Sequence, residues 1–299
     1  MIKKNRRLSA EDVIIDSLVY LFSIVVIIAT VYPFFYVIVI SFNEGIDTAR
    51  GGIYFWPRSF TIENYQTVFS DDAWVNAFII SVLRTVIGTI LGVALTSIVA
   101  YALSHDTLRF RKLYFLALIV SMYFDGGIIP YYIILRSLGL LNTFAVYVVP
   151  PMLNGFLVLV MVAFFRELPS SLEESARIDG ANDLLIFVRL VVPLSKPVFA
   201  TVSLFIGVFQ WNSWLDSVFF VQRSDLRPLS YLMMEIINRS RITSMLSEMD
   251  VAMAATATQV TTISIQMTTI VVTVVPIVLV YPFLQKHFVK GVLIGAVKG

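Results

Sequence analysis

Residues 167–197 read Glu-Leu-Pro-Ser-Ser-Leu-Glu-Glu-Ser-Ala-Arg-Ile-Asp-Gly-Ala-Asn-Asp-Leu-Leu-Ile-Phe-Val-Arg-Leu-Val-Val-Pro-Leu-Ser-Lys-Pro. Ser171 and, three residues later, Glu174 form the pattern of a capping box, which predicts that a helix begins here. Gly180 has no Cβ and suits a left-handed stop after about two turns. The first half of the stretch therefore predicts one short helix.

The second half predicts another short helix. Either Asn182 or Asp183 can cap it, since both side chains accept hydrogen bonds from free backbone N–H groups. The helix is expected over 184–192, and Pro193, which has no N–H, is expected to end its hydrogen-bond ladder. The whole stretch thus predicts two short helices joined by an Asp-Gly turn.

The rest of the chain is strongly apolar. Of its 299 residues, 58% are hydrophobic and 14% are charged, and the mean hydropathy is +0.84. A soluble domain carries about 25% charged residues, so a soluble enzyme and a disordered chain are both excluded. The chain has no cysteine, two histidines and a net charge of +2, which does not fit a disulfide scaffold, a metal site or a nucleic-acid binder. A polytopic membrane protein remains.

Six stretches are long and apolar enough to cross a membrane, which takes about 20 residues. The first is uncharged and too long for a signal peptide, so it is expected to be retained as a membrane helix. Arg84 lies inside the second stretch and Asp216 near the end of the fifth. A short interfacial helix is expected over 251–262, before the last span. The six stretches are 17–42, 76–104, 112–135, 144–165, 197–221 and 263–285.

The distribution of Lys and Arg sets the orientation. With six spans and a cytoplasmic N-terminus, the inside segments carry about twice as many Lys and Arg as the outside segments. Both termini are therefore expected in the cytoplasm, with outside loops at 43–75 and 222–262 and the quoted stretch inside, in loop 166–196. We expect one transmembrane domain over 1–299 and no separate soluble domain.

The inside loop resembles the EAA loop of ATP-binding cassette (ABC) importer permeases. The similarity rests on Glu174-Ser-Ala176, Asp179-Gly180-Ala181, Phe187 and Pro193, with Ser175 where the family has alanine. It implies an all-α membrane protein with six transmembrane helices and the type I ABC importer permease fold, in which this loop is the coupling helix that docks into the ATPase subunit. It also implies that residues 1–299 form a single permease domain in a bacterial cytoplasmic membrane. The implied coupling residues are Glu174, Ala176, Asp179, Gly180, Ala181, Leu184, Ile186, Phe187 and Pro193. A generic membrane-parallel loop is the alternative, and Leu184, Ile186 and Phe187 could equally pack on the permease's own helix ends.

Further stretches resemble the maltose-type second permease of carbohydrate importers, in a branch that takes up complex oligosaccharides. They are 126–130, 138–143, 210–214 and 288–299. The resemblance implies a second, different permease subunit, two ATPase subunits, an extracellular solute-binding protein and an oligosaccharide substrate. The chain has no Gly-x-x-x-x-Gly-Lys-Ser/Thr phosphate loop. It is therefore expected to be a transport subunit and no enzyme, with ATP and Mg bound by the partner ATPase.

Aromatic and polar side chains inside the spans are candidates for the sugar pathway, because such groups are costly in lipid and usually face a cavity. A Gly126-Gly127-Pro130 break is expected in the third span. Membrane-interface anchoring and interhelical hydrogen bonding are the alternative roles. The candidates are Tyr123, Asp125, Tyr131, Gln210, Trp211, Asn212 and Trp214.

Two other classes are alternatives. An ion-coupled secondary transporter of small solutes would show inverted repeats and more spans, and no internal repeat is evident. An intramembrane enzyme would need paired catalytic groups within the spans, whereas His105 and His287 lie at cytoplasmic span ends.

Overall fold

The computed structural model describes residues 10–124, 126–245 and 261–296. Within these ranges the regular elements are all helical, apart from one isolated antiparallel bridge between Asn43 and Phe60. The all-α prediction is therefore confirmed for the described part of the chain. Asp125 and most of the expected interfacial helix at 251–262 lie outside the described residues.

The chain divides into two compact units. One comprises Met1–Ser70 with Ile236–Val272, and the other Asp71–Glu235 with Thr273–Gly299, in each case for the residues that are described. The single permease domain over 1–299 stays a prediction.

The first unit is built around a long apolar helix and a polar knot that follows it. Its helices are α1 (Ala10–Ser41), α2 (Gly45–Ala49) and α3 (Glu63–Ser70). Asn64 is fully buried and donates to the carbonyl oxygens of Ser41 and Asn43, at 3.0 and 2.9 Å. Asn43 in turn donates to Asp47 and Thr48, at 3.1 and 3.0 Å. These side chains satisfy backbone groups that the end of α1 leaves free.

The second unit contains the predicted loop. Its helices, in chain order, are α4 (Asp72–Ser104), α5 (Arg111–Tyr123), α6 (Ile128–Ser137), α7 (Ala145–Val148), α8 (Gly155–Arg166), α9 (Ser170–Ile178), α10 (Asp183–Leu194), α11 (Lys196–Asn212) and α12 (Leu215–Phe220). Two further helices, α13 (Leu229–Met245) and α14 (Thr262–Ala296), are divided by sequence between the two units.

Helix α4 packs along α11 and α8. Glycines allow the close approach of α4 to α11. A Cβ at Gly88 would lie 2.5 Å from Gln210 Nε2, and one at Gly92 would lie 3.1 Å from Ile206 Cδ1. Small residues at such contacts let membrane helices pack backbone to backbone. The core of this unit lies where these helices meet, around Val158, Met161 and Val202.

Among the described residues, three helices are long and apolar enough to span a membrane: Val13–Ser41, Asp72–Ser104 and Thr262–Leu279. Three further pairs pass the same test together but are bent by more than 40°. The pairs are α5 with α6, α7 and its following turn with α8, and α10 with α11. The predicted break after α5 is confirmed, since Gly127 has a positive φ of 78°.

Counting each bent pair as one span gives up to six. The six-span count and the cytoplasmic termini nevertheless stay predictions. The structure adds detail to three of the expected stretches. The fourth, 144–165, is a pair of helices bent by 48°, and the fifth, 197–221, is interrupted between Asn212 and Leu215. The last helix, Thr262–Ala296, extends beyond the expected stretch 263–285.

Candidate coupling loop and buried polar cluster

The first loop helix begins one residue before the predicted capping box. Helix α9 starts at Ser170, after Pro169 with φ −62° and ψ 123°, and no side chain caps it. Ser171 is therefore the second helical residue, so the capping-box prediction was wrong in position. The fixed φ of proline already sets the extended entry into the helix.

The predicted left-handed stop of α9 is confirmed. Gly180 has φ +83°. Its N–H donates to the Arg177 carbonyl, and the N–H of Ala181 donates to the Ala176 carbonyl, both at 3.0 Å. This pair of bonds is a Schellman motif, and it satisfies carbonyls that a helix end otherwise leaves free.

Asn182, of the two predicted candidates, caps the second loop helix. Its Oδ1 accepts from the N–H of Leu185 at 2.8 Å. Asp183 instead forms an ion pair with Arg177 of α9 at 2.8 Å. This pair is exposed and contributes little stability by itself, but it joins the two helices across the turn.

Pro193 does not end the ladder where expected. A π-helical turn, Phe187–Val191, precedes it, and the Val192 N–H donates to the Phe187 carbonyl five residues back. A helical turn then continues over Val192–Leu194. Proline has no N–H to donate, and the wider π-helical turn before it lets the helix continue past Pro193. The helix ends at Leu194 and then bends into α11.

The loop has an inner and an outer side. Ile186 is 1% exposed and Phe187 is 8% exposed, and both belong to the core of the second unit. Ala176 and Ala181 pack against the same core. The side chains of Ile186 and Phe187 are thus packed within the chain, which is the alternative that the sequence leaves open, and their part in ATPase coupling stays a prediction.

The outer side keeps other predicted residues and adds one that was missed. Ile178 is 87% exposed and Leu184 is 69% exposed. Glu174 and Asp179 are exposed beside them. These four residues form what we name the outer face. One feature of the sequence could have indicated Ile178. It is a large apolar residue directly before the Asp-Gly turn, a position where its side chain faces water unless a partner covers it.

A histidine ties α9 to the end of α4. His105 follows the last residue of α4, and its Nε2 lies 2.9 Å from Glu173 Oε2 on α9. Its Nδ1 lies 2.8 Å from the Tyr101 carbonyl oxygen. The Tyr101 ring also contacts Phe187 of α10, with ring centroids 5.1 Å apart.

A second polar group is buried among α4, α7, α11 and α12. We name it the Arg84 cluster; its members are Arg84, Tyr147, Gln210, Ser213 and Asp216. Arg84 is fully buried and donates to Gln210 Oε1, to the Ser213 carbonyl and to both carboxylate oxygens of Asp216. Its guanidinium lies 4.4 Å from the centre of the Tyr147 ring. Every N–H group of the buried cation therefore has an acceptor.

The cluster sits where the chain breaks between α11 and α12. The Ser213 carbonyl, left free by the break, accepts from Arg84 at 3.0 Å and from Ser230 Oγ at 2.7 Å. A broken span needs such partners because lipid offers none. The sequence signal for the cluster was one cation and one carboxylate in two apolar stretches.

The predicted pathway residues separate into two groups. Gln210 and Trp211 are buried, bonded to Arg84 and to the Thr273 carbonyl respectively. These hydrogen bonds fit the alternative role, interhelical bonding, and a place for Gln210 and Trp211 in the sugar pathway stays a prediction. The remaining candidates keep exposed surface: Tyr123, Tyr131, Asn212 and Trp214.

The geometry defines a helical membrane protein that carries a two-helix segment, α9 and α10, joined by the Gly180 turn. The comparisons agree. The family described as "Binding-protein-dependent transport system inner membrane component" matches residues 89–294. The polygalacturonan/rhamnogalacturonan transport system permease protein YtcP of Bacillus subtilis (strain 168) is 37% identical over 95% of this chain and 98% of its own length. Protein LplC of the same organism is 37% identical over 90% of each chain.

A solved structure is also similar. It is the crystal structure of a bacterial ABC transporter involved in the import of the acidic polysaccharide alginate, with a TM-score of 0.86 and 25% identity. The match covers 95% of this chain and 100% of the other. The chain therefore belongs to the family of binding-protein-dependent inner membrane components. It is a multi-pass permease subunit of an ABC importer, which decides against the secondary transporter and the intramembrane enzyme.

Proposed function

We propose that this chain is the second permease subunit of an importer for acidic oligosaccharides. It would pair with a different permease chain and work with two ATPase subunits and an extracellular solute-binding protein. The acidic class is supported by two names: the relative at 37% identity carries a polygalacturonan/rhamnogalacturonan title, and the similar structure imports alginate. Alginate is described there as an acidic polysaccharide, and each galacturonate unit carries a carboxylate.

The outer face is the proposed contact with the ATPase. The observation that carries this proposal is the exposure of Ile178 and Leu184 on either side of the Gly180 turn. Large apolar side chains exposed next to carboxylates, as here with Glu174 and Asp179, are typical of a protein interface. ATP and Mg would be bound by the ATPase.

The inner side of the loop would carry the motion into the permease. Ile186 and Phe187 are packed into the core formed with α4, α8 and α11. Packed helices move as bodies and not by continuous deformation. Closure of the ATPase subunits would therefore move α9 and α10. Helices α4, α8 and α11, which pack on them, would move with them.

The sugar pathway would use the candidates that keep exposed surface, Asn212 and Trp214 first. Both lie at the break that the Arg84 cluster holds. An aromatic ring beside an amide suits a sugar, which combines apolar ring faces with hydroxyl groups. Tyr123 and Tyr131 flank the other break, between α5 and α6.

Reconstitution tests the proposal. The full complex, with its genetic neighbours, is placed in lipid vesicles, and ATP hydrolysis is measured with the binding protein and either oligogalacturonate or a neutral malto-oligosaccharide of equal length. Stimulation by oligogalacturonate alone supports the acidic class. Stimulation by the neutral sugar alone overturns that class but keeps the importer, and ATP hydrolysis that ignores the binding protein with every sugar overturns the importer.

A further inference from the structure

The contact between His105 and Glu173 has a specific proton requirement. Nδ1 of His105 faces the Tyr101 carbonyl oxygen at 2.8 Å, and a carbonyl can only accept. Nε2 faces a Glu173 carboxylate oxygen at 2.9 Å, which also accepts when it is ionised. A neutral imidazole has one N–H and can satisfy only one of the two. Both bonds exist together when the His105–Glu173 pair carries one extra proton.

The surroundings of the pair fix this arrangement. The side chains of His105 and Glu173 are 23% and 22% exposed, so water reaches them only in part. The His105 ring stands edge-on to the Tyr101 ring, with centroids 4.6 Å apart. Ser104 Oγ lies 3.4 Å from Nδ1 but only 2.7 Å from the same Tyr101 carbonyl oxygen, so its proton goes to the carbonyl, the shorter contact. The ring orientation is thus set by contacts on α4 itself.

Other charges near the pair are already partnered. On the connection after α4, Asp106 pairs with Arg111 and, at 2.8 Å, with Arg166 at the end of α8. Beyond α9, Arg177 pairs with Asp183. Glu173 is therefore the one charged side chain that reaches His105 among the described residues.

We propose that His105 is a positioning residue for energy coupling, which passes movement of α9 directly to α4 through its protonated contact with Glu173. Helix α4 is continuous from Asp72 to Ser104 and carries Arg84 about 30 Å further along its axis. The tether thus joins the loop to the helix that holds the break between α11 and α12. The proposal rests on the proposed contact of the outer face with the ATPase.

Four variants separate the tether from simple folding. His105→Ala and Glu173→Ala remove it. His105→Arg supplies donors to both acceptors at any pH, and Glu173→Gln can donate to a neutral imidazole, so both keep the contact without the shared proton. Glu167→Ala, an exposed carboxylate just before α9, is the matched control.

The measurement is sugar transported per ATP hydrolysed by the complete complex in vesicles. We expect the two alanine variants to lose about fivefold or more in this ratio while the ATPase still co-purifies. We expect His105→Arg and Glu173→Gln, which keep the contact, to retain the wild-type ratio. Glu167→Ala should match the wild type.

The proposal is overturned if the alanine variants keep the wild-type ratio, or if His105→Arg and Glu173→Gln lose it as the alanine variants do. Should His105→Ala fail to assemble, Glu173→Ala, which leaves the imidazole ring in place, decides alone. Failure of the proposed function has a different signature: the wild-type chain would not retain the ATPase subunits at all.

Discussion

Nη2 of Arg84 lies 2.5 Å from Oδ2 of Asp216, which joins the middle of α4 to the first turn of α12. The arginine side chain is fully buried and that of the aspartate is 19% exposed. The two residues are 132 positions apart in sequence, so the pair fixes a long-range contact. The pair lies at the break after α11, where backbone groups such as the Ser213 carbonyl have no hydrogen-bond partner within a helix.

Breaking this pair should destabilise the protein strongly. Arg84→Met leaves the Asp216 carboxylate without its cation, and Asp216→Asn leaves a buried guanidinium uncompensated. Each single change is expected to cost about 3–5 kcal/mol, as for other buried ion pairs that lose one partner. The double variant should recover part of the loss, because no unpaired charge remains. Thermal unfolding of the purified protein in detergent gives the comparison.

An exposed ion pair provides the control. Arg223 and Asp225 also form a pair, at 2.5 Å, but both side chains are more than half exposed. Arg223→Met should leave the melting temperature nearly unchanged. Equal losses for Arg84→Met and Arg223→Met would contradict a special role for the buried pair.

The sequence predicted what depends on local chemistry and on composition. The apolar stretches, the two loop helices and the Gly180 turn follow from residues close together in the chain. The glycine break before α6 follows in the same way. Tertiary contacts decide the other features. Ile186 looks like an anchor in the sequence, and only the packing of α10 on α4 and α8 shows that it is buried.

Polar partners were the hardest feature to predict. Arg84 and Asp216 were visible as isolated charges in apolar stretches, but nothing in the sequence pairs them. Gln210 looked like a pathway residue because its neighbours are aromatic, and its actual partner is on another helix. His105 and Glu173 are 68 positions apart. In the sequence, His105 is predicted at a span end and Glu173 in the first turn of the loop helix, and nothing pairs them.

Gly88 should be sensitive even to alanine. A Cβ there would lie 2.5 Å from Nε2 and 2.7 Å from Cδ of Gln210, whose side chain is held by Arg84 and by the Tyr147 carbonyl. Gln210 cannot retreat without losing these bonds. Gly88→Ala is therefore expected to cost about 1–3 kcal/mol, the usual range for overpacking, in the thermal unfolding of the purified protein.

Gly126→Ala is the comparison for this change. A Cβ at Gly126 would lie 3.8 Å from Pro130, an ordinary contact. It should leave the melting temperature close to that of the wild type. If Gly88→Ala melts with Gly126→Ala, the helices α4 and α11 do not meet as closely as described.

Gly180 should tolerate asparagine better than alanine. Nothing lies within 4 Å of a Cβ built there, so sterics with neighbours are not the issue. The cost comes from φ +83°, which is unfavourable by about 1–2 kcal/mol for an L-residue and least so for asparagine. We expect Gly180→Ala to weaken retention of the ATPase subunits during purification and Gly180→Asn to weaken it less. Equal retention by the two variants would show that the left-handed turn is not needed for docking.

Mutations on the inner side of the loop should lower the stability of the protein, whereas mutations on the outer face should weaken its binding to the ATPase. Ile186→Ala removes a buried side chain and is expected to cost about 2–5 kcal/mol of stability. Leu184→Asp changes a side chain that is 69% exposed, so it should leave the melting temperature unchanged but reduce the amount of ATPase that co-purifies. A Leu184→Asp chain that holds the ATPase as well as the wild type would remove Leu184 from the proposed contact.

The polar knot after α1 should weaken in acid because of Asp47. A hydrogen bond from Asn43 is the main cause that lowers the pKa of Asp47 below its ordinary value of 3.8, and Arg58 adds to it, while burial opposes them. A lowered folded-state pKa stabilises the protein above the unfolded-state value, and this stability is lost as pH falls through the folded-state value. Asp47→Asn removes the titration and keeps the size of the side chain. The difference in melting temperature between wild type and Asp47→Asn should therefore be constant near neutral pH and shrink below pH 3.8. A difference that stays the same down to the most acidic point would show that the Asp47 carboxylate does not stabilise the knot through its charge.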